Sequence, residues 1–154
     1  MTFGFTPSTR ERLVRLAEAV AGERACERLV VGYAHAIDFG RMEAIGDIFV
    51  ETATFDALGT TLAGRAEVTR AIGVLVEHHP VTRHAISSIA VHTHSDGTAD
   101  GISYLSLFGA GPSPLLVGHL RDRFITDSGA GWRIEHRRLD AVFVDDSFAW
   151  PGGL

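Results

Sequence analysis

The 154 residues predict an α+β fold, with helices first and an antiparallel sheet after them. Three observations carry this. Apolar residues recur at helical spacing through the first third. The second half switches to β-branched runs with partial alternation, separated by tight-turn signals. Apolar residues make up 45% of the chain, enough for a sizeable core in one domain spanning 1–154.

"STRE" (Ser8 to Glu11) is a capping-box pattern that starts the first helix. Leu13, Leu16, Ala17 and Val20 follow on one stripe, and Gly22 marks an expected break or bend. A second helix then carries Cys26, Leu29, Val30, Tyr33 and Ile37, ending near Phe39–Gly40, because glycine is a frequent helix stop. A short helix over roughly Met42 to Phe49 comes next. "ATFDALG" (Ala53 to Gly59) reads as a short strand and turn, and "GRAEVTRAIGVLVEHH" as a helix that Pro80 stops. Four long strands should follow, from "VTRHAISSIAVHTH", "TADGISYLSLFGA", "LLVGHLRDRFITD" and "WRIEHRRLDAVFV", joined by turns at Ser95–Gly97, Gly111–Pro114 and Ser128–Gly131. The core covers about 8–144. The tail 145–154 is expected to be a lid or an interface segment, since Phe148 and Trp150 suit a free end poorly.

Composition narrows the chemistry. A net charge of -5 argues against a nucleic-acid partner, which needs a basic field. All 14 basic residues are arginine, so a lysine Schiff base is excluded. Asparagine and glutamine are absent as well. A donor to a developing oxyanion must therefore be Tyr, Ser, Thr, Trp, His, Arg or a backbone N–H. The single cysteine, Cys26, permits neither an intramolecular disulfide nor a cysteine-based zinc cluster. With no secretory h-region and no run of about 18 apolar residues, the chain reads as cytoplasmic, with no membrane partner. His78–His79 and the pair His92 and His94 have no obvious third ligand, so no metal is expected.

Within "TRHAIS", the side chains of Thr82, His84, Ile86 and Ser88 should share one face of a strand, the better candidate for the concave side. His84 would then enter the space between sheet and helices. Asp38, at a helix tip, is either a solvated end or a carboxylate closing the same space. A carboxylate that accepts one imidazole N–H fixes the tautomer and stabilises the imidazolium, leaving the other nitrogen as a base near neutral pH. Tyr33 and Tyr104 are candidate donors for the far end of a substrate. Tyr33 and Asp38, five residues apart, point about 140° apart on a helix, so both can border one pocket mouth. Asp122 shares an apolar strand face with Leu120 and Phe124, and should form a structural ion pair with an arginine or histidine.

The order of "YAHAID" before a glycine, "LAGRAEV", "TRHAIS", "VGHLRDRF" and "GWRIEHR" resembles the SnoaL-like proteins of the nuclear-transport-factor-two-like superfamily. The resemblance covers roughly Ala25 to Val142. It implies a cone in which a bent antiparallel sheet wraps the helices around an internal apolar pocket. The pattern is similar to scytalone dehydratase, bile-acid 7α-dehydratase and hexachlorocyclohexane dehydrochlorinase. In that group an Asp at the end of the long helix orients a His on the sheet, and Asp38 and His84 match these positions. Tyr33 matches the dehydratase tyrosine. The strand that often reads G-x-Y-x-D has Leu120 at its tyrosine, and the dehydrochlorinase's lysine and arginine have no clear match. The expected activity is therefore cofactor-free dehydration, isomerisation or cyclisation of a small hydrophobic ring-containing molecule, polyketide- or steroid-like. The pocket lining is expected from Phe39, Met42, Phe49, Phe55, Leu58, Ile86, Tyr104 and Trp132. A homo-oligomer, trimer or dimer, is expected by the same resemblance. A ligand-binding module without turnover, and an accessory subunit like the small chain of ring-hydroxylating dioxygenases, remain alternatives.

Overall fold

A computed structural model describes residues 8–127, 129 and 131–151. Ser8 caps the first helix as its sequence predicts: its hydroxyl accepts from the Glu11 N–H, and the Glu11 carboxylate accepts from the Ser8 N–H. This helix, α1 (Thr9–Asp38), runs unbroken through Gly22. The expected break is absent because Gly22 is a packing position. A Cβ there would lie 3.0 Å from Thr93 and 3.2 Å from Trp132. The helix ends where Gly40 takes φ +66, with Gly40 N–H donating to Ile37 and Arg41 N–H to Ala36. These two bonds satisfy carbonyls the helix leaves open, and they fix the last turn carrying Asp38.

The predicted short helix divides into a 3-10 turn (Met42–Ala44) and α2 (Ile45–Ile48). A hairpin follows, β1 (Phe49–Ala57) and β2 (Thr60–Ala63), longer than the short strand the sequence predicts. Then come α3 (Arg65–His78), β3 (Arg83–Thr93), β4 (Thr98–Phe108), β5 (Pro114–Asp127) and β6 (Gly131–Val144). The expected turn at Ser128–Gly131 lies partly outside the described residues.

All strands join one sheet of order β2-β1-β6-β5-β4-β3. The meander β3 to β6 is antiparallel, as predicted. The β1–β6 pairing is parallel and joins the early hairpin to the last strand. α1 packs against β3 and β6, and α3 against β1 and β2. The shared core includes Cys26, Val30, Ile37, Phe49, Ile72 and Phe124, all buried. No helix among the described residues is long and apolar enough to cross a membrane.

Two irregularities steer side chains. Ser88 has φ +50 and sits in a bulge where β3 carries one residue more than β4 between the pairs Ser87–Tyr104 and Ala90–Ile102. His84 and Ile86 are partly buried before the bulge, Ile89 and Val91 after it. Ser88 is thus exposed instead of sharing the face of His84. At Gly118, in the β5–β6 bulge, a Cβ would lie 2.4 Å from the Asp140 carbonyl oxygen and 3.0 Å from the Ala141 Cα. Because both obstacles are backbone, Gly118→Ala is expected to destabilise by about 1–3 kcal/mol. A urea midpoint equal to the parent's would refute this.

Candidate active site

The end of α1 and the start of β3 meet at Asp38 and His84, 46 residues apart in the chain. The His84 Nδ1–H donates to Asp38 Oδ1 at 2.6 Å, and the His84 backbone N–H donates to Oδ2 at 2.8 Å. The Thr82 hydroxyl donates to Oδ1 at 2.9 Å. The two side chains are only 3% (His84) and 5% (Asp38) exposed. With the carboxylate accepting at Nδ1, the neutral ring carries its lone pair on Nε2. The sequence leaves open a solvated helix end for Asp38; its burial and three donors exclude that.

Burial alone would raise the Asp38 carboxyl. The hydrogen bonds from the His84 side chain and backbone, the imidazole's charge and the Thr82 hydroxyl outweigh it, and hold the group below the usual carboxylate range. A carboxyl depressed in the folded state stabilises the fold fully above its unfolded value, near 3.9, and loses this contribution as pH falls through the folded value. Urea unfolding from pH 6 to pH 2 is therefore expected to fall off less steeply below about pH 4 in Asp38→Asn than in the parent. Identical slopes would refute the assignment.

Tyr33 stands one and a half turns before Asp38. Its ring meets the His84 ring edge-on, with centroids 6.0 Å apart, and Phe49 at 6.1 Å. Burial pushes its phenol up to about 12, against the pull of Arg137. The group is a neutral donor at physiological pH.

Tyr33 and His84 line an apolar cavity closed by leucines of α3, β4, β5 and β6 and by Phe55, Phe148 and Trp150. The open space left among them is about 20 Å³, room for about one water. Two aromatic rings of the tail take up the rest. Trp150 meets Phe55 edge-on at 5.8 Å, and Phe148 stacks on His79 at 5.7 Å. The Ala149 N–H donates to His79 Nε2, and the Asp145 N–H to the Leu115 carbonyl. The tail, expected as lid or interface, is a plug in the described residues up to Pro151.

Of the predicted lining, Phe55 lines the cavity and the other seven residues do not. Phe39 is 60% exposed, under the Arg83 guanidinium. Tyr104 is 56% exposed on the outer face, because β4 turns Ser103 and Leu105 inward. Trp132 lies beside Gly22 and lines a separate cleft with Arg15 and Glu18. Leu58 lines an outer cleft between the β1–β2 turn and β6. Phe49 is buried behind Tyr33, and Met42 and Ile86 pack at the edge of the core. The larger open clefts, such as that of about 430 Å³ beside His92 and Arg121, touch neither Asp38 nor His84.

Arg137, which no sequence pattern marks, stands beside the site. It is fully buried, directly opposite Asp122 in the β5–β6 register, and binds its carboxylate through Nε at 2.6 Å and Nη2 at 2.8 Å. Asp122 thus has the ion pair expected of it. The Arg137 guanidinium lies 4.3 Å from the Tyr33 ring centroid. His94 bonds Asp100 on the surface, and no group of three or more His, Cys, Asp or Glu side chains among the described residues is placed to hold a metal.

Helices packed against a six-stranded, mostly antiparallel sheet give the class: a nuclear-transport-factor-two-like, cystatin-like fold. The family model for the SnoaL-like domain matches residues 18–138, and the chain belongs to that family. Three solved structures illustrate the fold. A nuclear-transport-factor-two-like protein with a cystatin-like fold from Novosphingobium aromaticivorans is 22% identical, with TM-score 0.73, covering 94% of this chain and 96% of that one. A candidate scytalone dehydratase from the same organism is 22% identical, with TM-score 0.67 and coverages of 90% and 91%. A protein of unknown function from Mycobacterium tuberculosis is 24% identical, with TM-score 0.69 and coverages of 81% and 79%. No curated protein matches the sequence.

Proposed function

We propose that this chain is a cofactor-independent general acid–base enzyme, a dehydratase, isomerase or cyclase, acting on a small hydrophobic ring-containing molecule. The observation that carries the reading is the buried Asp38–His84 hydrogen bond beside Tyr33 on an apolar cavity. In this reading His84 Nε2 takes a proton from carbon next to a carbonyl, and Asp38 stabilises the imidazolium. Tyr33 donates to the carbonyl oxygen as charge builds there. The imidazolium then returns its proton, to a departing β-hydroxyl in a dehydration or to another carbon in an isomerisation. The family resemblance and the likeness to a candidate scytalone dehydratase support this class.

The test is proton exchange. A bicyclic ketone such as 2-tetralone, incubated with the protein in deuterium oxide and followed by NMR, is expected to exchange its acidic C–H protons faster than in buffer. Exchange no faster than in buffer, for a ketone that saturation-transfer NMR sees bound, favours the second reading, a binding module without turnover. One observation speaks for that reading: the tail fills the cavity to about 20 Å³. Exposed Ile102, Tyr104, Val142 and Phe143 support the expectation of a homo-oligomer.

A further inference from the structure

We propose that Arg137 is a positioning residue for the proton of Tyr33: its guanidinium, held by Asp122 against the face of the tyrosine ring, favours the negative charge that builds on the phenol oxygen as it donates to a substrate. The inference rests on the reading of Tyr33 as donor.

A plain structural role accounts poorly for the pair. Arg137 has no exposed surface and Asp122 almost none, so both charges are desolvated. Among the described residues the Arg137 Nη1 is buried without a hydrogen-bond partner. Buried ion pairs often lose to apolar pairs of similar volume, and an unpartnered polar atom adds to the cost. What the pair does have is a target. The guanidinium is 4.3 Å from the Tyr33 ring centroid and 5.9 Å from that of Phe49, and only the former ring carries a titratable proton. A cation over an aromatic face withdraws electron density from the ring, so the oxygen releases its proton more easily. Asp122 fixes the guanidinium by two parallel bonds, which sets the plane and distance of the charge.

The charged and titratable groups facing Tyr33 are Asp38 on its own helix, His84 on β3, Asp122 on β5 and Arg137 on β6. Burial raises the phenol; Arg137 opposes this, while Asp122 and Asp38 add to it. The two partners of the ion pair thus act on Tyr33 with opposite signs, so their removal has separable consequences.

Tyr33 and Tyr104 are the only tyrosines in the chain, so a Tyr104→Phe background leaves one phenol to follow. In that background the phenolate absorption is titrated, with ring-fluorinated tyrosine incorporated to bring the transition to milder pH. Asp122→Asn, which leaves the cation, is expected to raise the acid constant of Tyr33 about tenfold. The double variant Asp122→Asn/Arg137→Gln, which removes both charges and keeps a hydrogen-bonding pair, is expected to lower it about tenfold. Asp122→Leu/Arg137→Met is an apolar pair expected to fold and to lower it likewise. Shifts of opposite sign establish the coupling. The same titration in all folded variants, or shifts of one sign only, would overturn it. The result is independent of turnover: a Tyr33→Phe variant that exchanged the ketone at the parental rate would sink the donor reading while leaving the coupling intact.

Discussion

His84→Ala is expected to lower ketone proton exchange by about 10² to 10⁴ relative to the parent. The exchange is assigned to Nε2, and no other imidazole among the described residues lines the cavity. Asp38→Asn should cost a similar factor for a different reason. An asparagine can present its N–H to His84 Nδ1, which then holds the ring's lone pair and leaves Nε2 protonated and unable to act as base. The two variants therefore fail alike in rate and differently in rescue. Added imidazole is expected to restore part of the rate to His84→Ala, where the side chain's volume has been vacated, and none to Asp38→Asn. Parental exchange in either variant would sink the proposed base.

Deletion of 145–154 is expected to raise the affinity of an apolar probe, 1-naphthol, about tenfold or more, with a change in stability of no more than about 2 kcal/mol. Burying two large aromatic rings removes about 300–500 Å² from water, about 7–12 kcal/mol at 25 cal/mol per Å². Ordering the seven described tail residues, 145–151, costs about 10 kcal/mol. Among the described residues the Trp150 indole N–H is buried without a partner, a further cost of about 1–3 kcal/mol. The few backbone hydrogen bonds of the tail return a comparable amount. These terms nearly cancel, so the plug is held loosely and a ligand needs little surplus to displace it. Unfolding of the truncated chain, or an unchanged naphthol dissociation constant, would contradict this balance.

The helical half of the fold was legible because its signals are local: Ser8 with Glu11 at one end of α1, Gly40 at the other. Gly22 misleads, since a glycine used for close approach to Trp132 has the same letter as a glycine used to stop a helix. The four-strand meander was legible from its period and turns. The parallel contact of β1 with β6 was not, because no local pattern encodes which distant strand a strand will meet. A helix tip and a strand face direct Asp38 and His84 toward one space and the family pattern matches both positions, whereas Arg137 needs the strand register that sets it opposite Asp122. Aromatic residues are poor guides to the lining, which is mostly leucine. On β4 the inward positions are Ala99, Ser103, Leu105 and Leu107, while Ile102 and Tyr104 face out. A plug supplied by Phe148 and Trp150 has no periodicity to read at all.

The parallel ladder of β1 and β6 also bears on how the chain is made. Thr54 and Phe55 find their partners in His136 and Arg137, 82 residues later. On the ribosome, the early hairpin must wait unpaired on one edge until nearly the whole chain has emerged. Loop closure over that span comes before the contacts that reward it, so folding is expected in milliseconds to seconds and late in synthesis. Chains halted before β6 would keep β1 as an open edge, the form most prone to pair with a neighbour.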